Sequence, residues 1–247
     1  MDRELRSIFV FILFGFSIGG LWFFISGRKK DREEKRRRGA KYWSYAGIVI
    51  GTTLLATLGG MYWFVFCLLL SVGAIVEVGK TIFKLSGTVR IPVVMAVLLI
   101  FPLFCGSGFF FSNRVLVFTY LSVAVFDAFS QLTGQSLGRT KMAPQISPNK
   151  TWEGFAGGFF FSTLFGIFFF WSGEKSLLEV FFLSFGVAIL GLSGDLIASW
   201  LKRKANIKDY SDLLPGHGGI LDRFDSLIFT LAVFSLFRIV EFFYTKL

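Results

Sequence analysis

The segment LEVFFLSFGVAILGLSGDLIASW, residues 178–200, is the stretch that decides the fold. Its 23 residues contain only two charges, Glu179 near one end and Asp195 near the other. A helix rises about 1.5 Å per residue and needs about 20 apolar residues to cross a bilayer core of about 30 Å. The segment therefore predicts a membrane-spanning helix with a carboxylate close to one end.

The rest of the chain is also strongly apolar. Hydrophobic residues make up 54% of the 247, with 34 phenylalanines, whereas soluble domains contain roughly 45–50% apolar residues. The charged residues fall in islands between long apolar runs, which is typical of polytopic helical membrane proteins. A transmembrane β-barrel would show alternating runs instead. We therefore predict an all-α, polytopic integral membrane protein.

About eight transmembrane helices, within a range of seven to nine, account for these apolar runs. The first lacks an obvious small-residue cleavage site, so we expect a retained helix and not a cleaved signal peptide. The predicted spans are 7–26, 44–59, 61–79, 91–107, 115–133, 154–172, 178–200 and 221–243.

The positions of lysine and arginine predict how the helices are oriented. A basic loop at 27–43 and every second loop after it together hold 20 of the 26 lysines and arginines. Cytoplasmic loops carry such an excess. We therefore expect these loops inside the cell and both termini outside. The basic loop at 27–43 is interpreted as a solvated, membrane-facing loop and not as a nucleic-acid site.

Acidic groups within or at the edge of membrane spans are costly and usually functional. Of those in the predicted spans, Glu241 has Arg238 three residues before it on the same helix face, and five others share one property. With the orientation assigned, all five fall at a similar depth near the cytoplasmic interface. Asp195, for example, would lie about 8 Å below the end of its helix at 1.5 Å per residue. The five are Glu77, Asp127, Asp195, Asp222 and Asp225.

Asp222 and Asp225 are three residues apart, so both carboxylates project from one face of a helix. Two carboxylates that close repel each other unless they are protonated or bridged by a cation. An oxygen-only set, joined by Asp195 from another helix, suits Mg²⁺ or another hard cation better than zinc. The alternative is that these aspartates only stabilise the N-terminus of the helix.

The loop before the last span contains residues that suit phosphate binding. Glycines let backbone N–H groups approach an anion closely, and His217 lies among three of them. We expect His217 to contact a ligand. The basic residues and glycines of this loop are Lys202, Arg203, Lys204, Lys208, Gly216, Gly218, Gly219 and Arg223.

A second polar loop covers 134–154 and carries Ser147, Lys150 and Thr151. Pro148 fits the start of a helix, with Ser147 as its N-cap. Because a helix N-terminus beside basic side chains favours anions, this loop predicts a second anion site.

Residues 199–225, SWLKRKANIKDYSDLLPGHGGILDRFD, resemble the signature of the phosphatidate cytidylyltransferases, also called CDP-diacylglycerol synthases. The SGD sequence at 193–195 and SPNKTWEG at 147–154 resemble the same family, and the resemblance extends over about residues 90–245. One departure lies at 127–131, where the family often has an aromatic-rich run and this chain reads DAFSQ.

The resemblance implies an enzyme that transfers CMP from CTP to phosphatidic acid, giving CDP-diacylglycerol and pyrophosphate for phospholipid synthesis. It implies Mg²⁺ held by Asp195, Asp222 and Asp225, with a second cation left open. The partners would be CTP, phosphatidic acid and the lipid bilayer, with no nucleic acid. A homodimer is left open as the oligomeric state.

The same resemblance implies roles for individual side chains and regions. An N-terminal transmembrane region, 1–90, would precede a catalytic transmembrane region, 91–247. The predicted catalytic residues are Asp195, Asp222, Asp225, Lys202, Arg203, His217 and Arg223. The predicted substrate-binding residues are Lys208, Asp209, Gly218, Gly219, Ser147, Lys150, Thr151 and Asp127.

Other functions stay open at this point. A CTP-dependent lipid kinase, or a cytidylyltransferase for another lipid phosphate, would use similar residues. A cation transporter is a further alternative, but its carboxylates should line a path through the bilayer, whereas these gather at one face. We expect a prokaryotic inner-membrane location, with the active site facing the cytoplasm.

Overall fold

The computed structural model describes residues 32–171, 175–211, 213 and 218–245. The chain divides into two compact units, residues 1–54 and 55–247. Helix α1, Arg32–Leu58, begins in the first unit, and every later element belongs to the second. The predicted span at 7–26 and the predicted ligand contact His217 lie outside the described residues.

The second unit is built from long helices and one short hairpin. The elements are α2 (Gly60–Ile82), α3 (Gly87–Phe110), α4 (Asn113–Leu137), β1 (Lys141–Ala143), β2 (Ser147–Thr151), α5 (Trp152–Phe169), α6 (Leu177–Lys204) and α7 (Leu221–Tyr244). Helix α4 packs along α5, α6 packs along α7, and α3 packs against both α2 and α7.

Within the described residues, six helices, α2 to α7, are long and apolar enough to cross a membrane. They overlap the six predicted spans from 61–79 onwards. Tyr42–Leu58, the apolar part of α1, is shorter, so the predicted span at 44–59 is not one of the six. The all-α polytopic class is confirmed, whereas the count of eight spans stays a prediction.

Glycines let neighbouring helices approach each other closely. A Cβ atom on Gly158 of α5 would lie 2.7 Å from the carbonyl oxygen of Phe126 on α4. A Cβ atom on Gly194 of α6 would lie 2.7 Å from the carbonyl oxygen of Asp225 on α7. Small residues at such contacts support helix association in lipid. The second contact brings Asp195, the neighbour of Gly194, close to the α7 turn that carries Asp225.

The loop between α4 and α5 folds as an antiparallel hairpin, which the sequence did not predict. Lys141 pairs with Thr151 and Ala143 with Ser147, with an irregularity in register between the two pairs. Three residues in β1 and five in β2 make this a small exception to an otherwise helical unit. The hairpin brings Lys150 close to α6, as described below.

The predicted start of a helix at Ser147 and Pro148 is wrong, because both residues belong to β2. The chain stays extended through the strand pairing, and α5 begins only at Trp152. The Thr151 hydroxyl oxygen accepts a hydrogen bond of 3.1 Å from the Gly154 N–H. Thr151 is therefore the N-cap, because it satisfies one of the amides that the first helical turn leaves unpaired.

Candidate functional site

Charged side chains gather where strand β2, the C-terminal part of α6 and the N-terminal end of α7 meet α4. These elements contact one another in the second unit. Four of the five predicted carboxylates lie here; the Asp222 side chain is buried and the other three residues are half-buried. They are Asp127 on α4, Asp195 on α6, and Asp222 and Asp225 on α7. The fifth, Glu77, lies on α2.

Lys150 on β2 carries the positive charge closest to Asp195. Its ammonium lies 2.5 Å from the Asp195 carboxylate, and the two side chains are only 23% and 24% exposed. Burial lowers the pKa of Lys150, but the carboxylates of Asp195, Asp127 and Asp225 raise it, and the resulting pKa is above its ordinary value. Lys150 is therefore a charged ammonium that interacts with carboxylates from three helices.

Asp222 forms a second pair at the start of α7. Its Oδ1 lies 2.6 Å from the ammonium of Lys202, and its side chain is 5% exposed. Its Oδ2 accepts hydrogen bonds from the backbone N–H groups of Tyr210, at 2.9 Å, and Gly219, at 2.8 Å. Asp222 therefore connects α6, the loop after α6 and the first turn of α7, in agreement with the helix-stabilising alternative.

The three predicted metal ligands are engaged differently. Asp225 lies within electrostatic range of Asp195 and Asp127, whereas Asp222 is paired with Lys202. Across the described part of the chain, no three His, Cys, Asp or Glu side chains are grouped so that they could hold a metal ion. Metal ligation by the predicted trio stays a prediction, and Asp127 emerges as a third carboxylate near Asp195 and Asp225.

Exposed basic residues lie at the end of α6, in the loop after it and in the first turn of α7, at the rim of the site. Arg203 donates a hydrogen bond of 3.2 Å from Nε to the carbonyl oxygen of Ile146, which links the end of α6 to the hairpin turn. Arg223 is exposed and within electrostatic range of Asp127. Lys208 and Asp209 are exposed in the loop. Phosphate contacts by Arg203, Arg223 and Lys208, and substrate binding by Asp209, stay predictions.

The predicted glycines and hydroxyls take structural roles in this arrangement. Gly218 has a φ of 80°, a conformation that side chains rarely adopt. In this structure the Gly219 N–H donates to the Asp222 carboxylate at the start of α7. Thr151 is 4% exposed, and its hydroxyl oxygen caps α5. Ser147 is half-buried in β2. Substrate contacts by these residues stay predictions.

Tyr210 is a site residue that the sequence analysis did not single out. Its ring is 6% exposed, and its hydroxyl donates a hydrogen bond of 3.0 Å to the carbonyl oxygen of Ala198. Burial, followed by the carboxylates of Asp225 and Asp222, raises the pKa of the phenol. Tyr210 is therefore a neutral donor, and the Lys202 ammonium lies 5.4 Å from the centre of its ring.

Two glutamates support the surrounding loops. Glu153 in the first turn of α5 accepts backbone hydrogen bonds from Arg139, at 3.1 Å, and from Thr140, at 3.2 Å. Glu77 on α2 accepts hydrogen bonds from Ser211 and from the first residues of α7. The depth of Glu77 in its span was the only sequence signal for this role, since its partners lie more than 130 residues away.

Comparison with known proteins assigns the chain to a group. The model of the family described as "Cytidylyltransferase family" matches residues 5–240. A protein of Aquifex aeolicus (strain VF5) named "Phosphatidate cytidylyltransferase" is 40% identical over 122 residues, 47% of this chain and 46% of that protein. The family model therefore covers most of the described structure, and the match to the Aquifex aeolicus protein covers about half of each chain.

Two further curated relatives carry the same name. The one from Bacillus subtilis (strain 168) is 42% identical over 107 residues, 42% of this chain and 40% of the relative. The one from Haemophilus influenzae is 36% identical over 129 residues, 50% of this chain and 45% of the relative. The chain thus spans about half the length of the curated relatives it matches.

Proposed function

Because this chain belongs to the cytidylyltransferase family, we propose that it transfers CMP from CTP to phosphatidic acid and releases CDP-diacylglycerol and pyrophosphate. The observation that carries the proposal is the cluster of Lys150 with Asp127, Asp195 and Asp225, where strand β2 meets three apolar helices. Such a cluster suits a reaction between a lipid headgroup and a water-soluble nucleotide, because both phosphates can reach it while the acyl chains stay in the bilayer.

The chemistry is an exchange of one phosphorus–oxygen bond for another. An oxygen of the lipid phosphate attacks the α-phosphorus of CTP and forms the new bond. The bond from the α-phosphorus to the oxygen that bridges to the β-phosphorus breaks, and its electron pair leaves with pyrophosphate. Because the attacking oxygen is already ionised, the site needs charge stabilisation and positioning more than it needs a strong base.

Lys150 and Lys202 are the cations best positioned to stabilise that charge. In this structure each lysine neutralises an aspartate, Lys150 at 2.5 Å from Asp195 and Lys202 at 2.6 Å from Asp222. Both lysines are mostly buried, where electrostatic interactions are stronger than in water. Triphosphate and lipid phosphate oxygens would compete with the carboxylates for these two ammonium groups, and Arg203 and Arg223 would contribute from the rim.

We propose Mg²⁺ as the divalent ion and leave a second cation open. Carboxylate oxygens are the ligands that Mg²⁺ prefers, and Asp195 and Asp225, which interact electrostatically across α6 and α7, would supply them. Because no three such side chains among the described residues are grouped to hold a metal, substrate phosphate oxygens would complete the coordination. Asp222 would contribute only after Lys202 leaves it, since both of its oxygens are engaged. When bound, the ion supplies positive charge against the phosphate oxygens.

The membrane location follows from six apolar helices among the described residues, so the protein is an integral membrane protein. We propose that the membrane is a prokaryotic inner membrane and that the site faces the cytoplasm, where CTP is available. The excess of lysine and arginine in alternate loops supports this orientation. A homodimer stays a prediction.

The deciding experiment is a pyrophosphate-release assay with the purified chain, CTP and phosphatidic acid in mixed micelles, with and without Mg²⁺. We expect pyrophosphate and CDP-diacylglycerol in equal amounts, and neither product when phosphatidic acid is omitted. Release of CDP instead of pyrophosphate would identify a lipid kinase. Cation flux into proteoliposomes without CTP, in the absence of either product, would identify a transporter.

A further inference from the structure

Glu77 is a buried carboxylate that lies on α2, outside the motifs at 147–154, 193–195 and 199–225. Its side chain is 4% exposed. Its Oε1 accepts hydrogen bonds from the Ser211 hydroxyl, at 2.6 Å, and from the Ile220 N–H, at 2.9 Å. Its Oε2 accepts from the Leu221 N–H, also at 2.9 Å. The donors that Glu77 has among the described residues are therefore one hydroxyl and two backbone amides, all of them neutral.

The amides that Glu77 accepts belong to the N-terminus of α7. The first N–H groups of a helix have no partner within the helix. Ile220 is the N-cap of α7, and it makes no side-chain capping hydrogen bond. The carboxylate of Glu77 takes that place from another helix, and its negative charge also interacts favourably with the positive end of the helix dipole.

Gly219 permits this contact because it has no side chain. A Cβ atom there would lie 2.5 Å from Oε1 of Glu77 and 2.7 Å from its Oε2, which is closer than any side chain tolerates. The glycine therefore lets the carboxylate reach the helix end. Glu77 and Asp222 divide the three successive amides between them, because Asp222 accepts from Gly219 while Glu77 accepts from Ile220 and Leu221.

We propose that Glu77 is a positioning residue for nucleotidyl transfer: it holds the start of α7 and the Ser211 segment in place, and so orients Asp222 and Asp225. The proposal rests on the proposed function for what the oriented aspartates do. A small displacement of such groups has a large kinetic effect, since a misplacement of about 1 Å can reduce a rate by about 100-fold. Glu77 touches no reacting atom in this scheme and acts through α7.

The test compares Glu77→Gln with Glu179→Gln in the full-length chain reconstituted in nanodiscs. Glu179 is a matched control, because it also serves a helix N-terminus, where its Oε2 accepts from the Ser176 N–H at 2.8 Å at the start of α6. Glutamine keeps the size of glutamate, but it removes the charge and presents an N–H₂ group to one of the amide donors.

We expect Glu77→Gln to lower kcat for pyrophosphate release by at least about 10-fold, with a change in the KM for CTP of less than about 3-fold, because orientation and not binding is lost. Glu179→Gln should leave both constants unchanged. Hydrogen exchange provides a readout that does not depend on activity: the Ile220 and Leu221 amides should exchange at least about 10-fold faster in Glu77→Gln only.

Ser211→Ala provides a milder variant that removes one donor to Glu77 and keeps the carboxylate. We expect a smaller loss of kcat, and a double variant with Glu77→Gln that is no worse than Glu77→Gln alone, because both changes remove one contact. If Glu77→Gln does not fold, Ser211→Ala alone decides: a fall in kcat at constant KM supports the proposal, and wild-type kinetics overturn it.

The outcomes separate this proposal from the proposed function. Wild-type kcat and unchanged exchange of Ile220 and Leu221 in a folded Glu77→Gln protein would overturn the positioning role. Additive losses in the double variant would also overturn it. A wild-type chain that releases no pyrophosphate would overturn the proposed function instead, while faster exchange in Glu77→Gln would still show that Glu77 holds the start of α7.

Discussion

Two lysines neutralise two of the four aspartates at the site, and each pair joins two different elements. Lys150 connects β2 to Asp195 on α6, and Lys202 on α6 connects to Asp222 on α7. Half-buried carboxylates close to one another repel, so the ammonium groups stabilise the site before any substrate binds. The two ammonium groups would become available to substrate phosphates once the carboxylates bind a metal cation instead.

Asparagine substitutions at Asp222 and Asp225 separate two roles of the aspartates, the proposed binding of a cation and the acceptance of backbone hydrogen bonds. We expect each variant to release pyrophosphate at least about 100-fold more slowly, because each loses a carboxylate proposed to hold the cation that stabilises the reacting phosphates. Only Asp222→Asn should also speed hydrogen exchange at the Tyr210 and Gly219 amides, which donate to Asp222. Steady-state kinetics and exchange mass spectrometry measure the two effects.

Glu241→Gln is the control for these two variants, since it makes the corresponding change on the same helix. The Glu241 carboxylate pairs with Arg238 at 2.6 Å in an exposed position, and such pairs contribute little to stability. Its kinetics should match those of the wild type. Near-full turnover in both aspartate variants would rule out their assignment to the metal.

At the scale of elements, the separation of α6 and α7 depends on Gly194. We expect Gly194→Ala to lower the melting temperature by a few degrees and the rate of pyrophosphate release on the order of 10-fold, because the added methyl group must displace the backbone that carries Asp225. Thermal unfolding in nanodiscs and the pyrophosphate assay measure these losses.

Gly186→Ala is the matched control on the same helix. Its added Cβ would lie 4.0 Å from the nearest atom, on Phe234, and alanine has the higher helix propensity. This variant should keep the wild-type rate and an equal or higher melting temperature. Equal behaviour of the two variants would show that the close approach of α6 and α7 has no role in the reaction.

The junction of β2 and α5 depends on the Thr151 hydroxyl. Loss of an N-cap destabilises a helix by about 0.5–2 kcal/mol, so Thr151→Ala should lower the melting temperature by a few degrees. Thr151→Ser keeps the oxygen that accepts from Gly154 and should keep the melting temperature. If alanine and serine gave the same stability, the cap would not be what holds this junction.

At the scale of the whole molecule, the orientation in the membrane decides which solution reaches the site. Cys67 and Cys105 are buried, so a maleimide should label only an introduced cysteine. The labelling then shows on which side of the membrane that residue lies. We expect Lys208→Cys to react with a membrane-impermeant maleimide in inverted vesicles and not in intact cells, because its loop is predicted to be cytoplasmic. Lys175→Cys, on the opposite side, should react only in intact cells. The reverse pattern would contradict the cytoplasmic site.

Helices α2 to α7 were predictable to within a few residues, but the start of α1 and the loop between α4 and α5 were not. α1 begins at Arg32, inside the basic loop predicted at 27–43. Each apolar run satisfies its backbone hydrogen bonds within itself, so its length and composition suffice. The hairpin depends on pairing between Lys141 and Thr151 and on packing against α6, which no local pattern encodes. For this reason Pro148 and Ser147 were misinterpreted as the start of a helix.

The amino-acid sequence alone determined the membrane class, six of the spans and the family, because apolar length and a dense motif are properties of continuous segments. It also predicted that Glu77 and the aspartates lie at one depth. Only the tertiary structure decided which charges meet: Lys150 with Asp195, Lys202 with Asp222, and Glu77 with Leu221 across 144 residues. Such contacts arise when helices pack, and packing depends on side chains throughout the bundle.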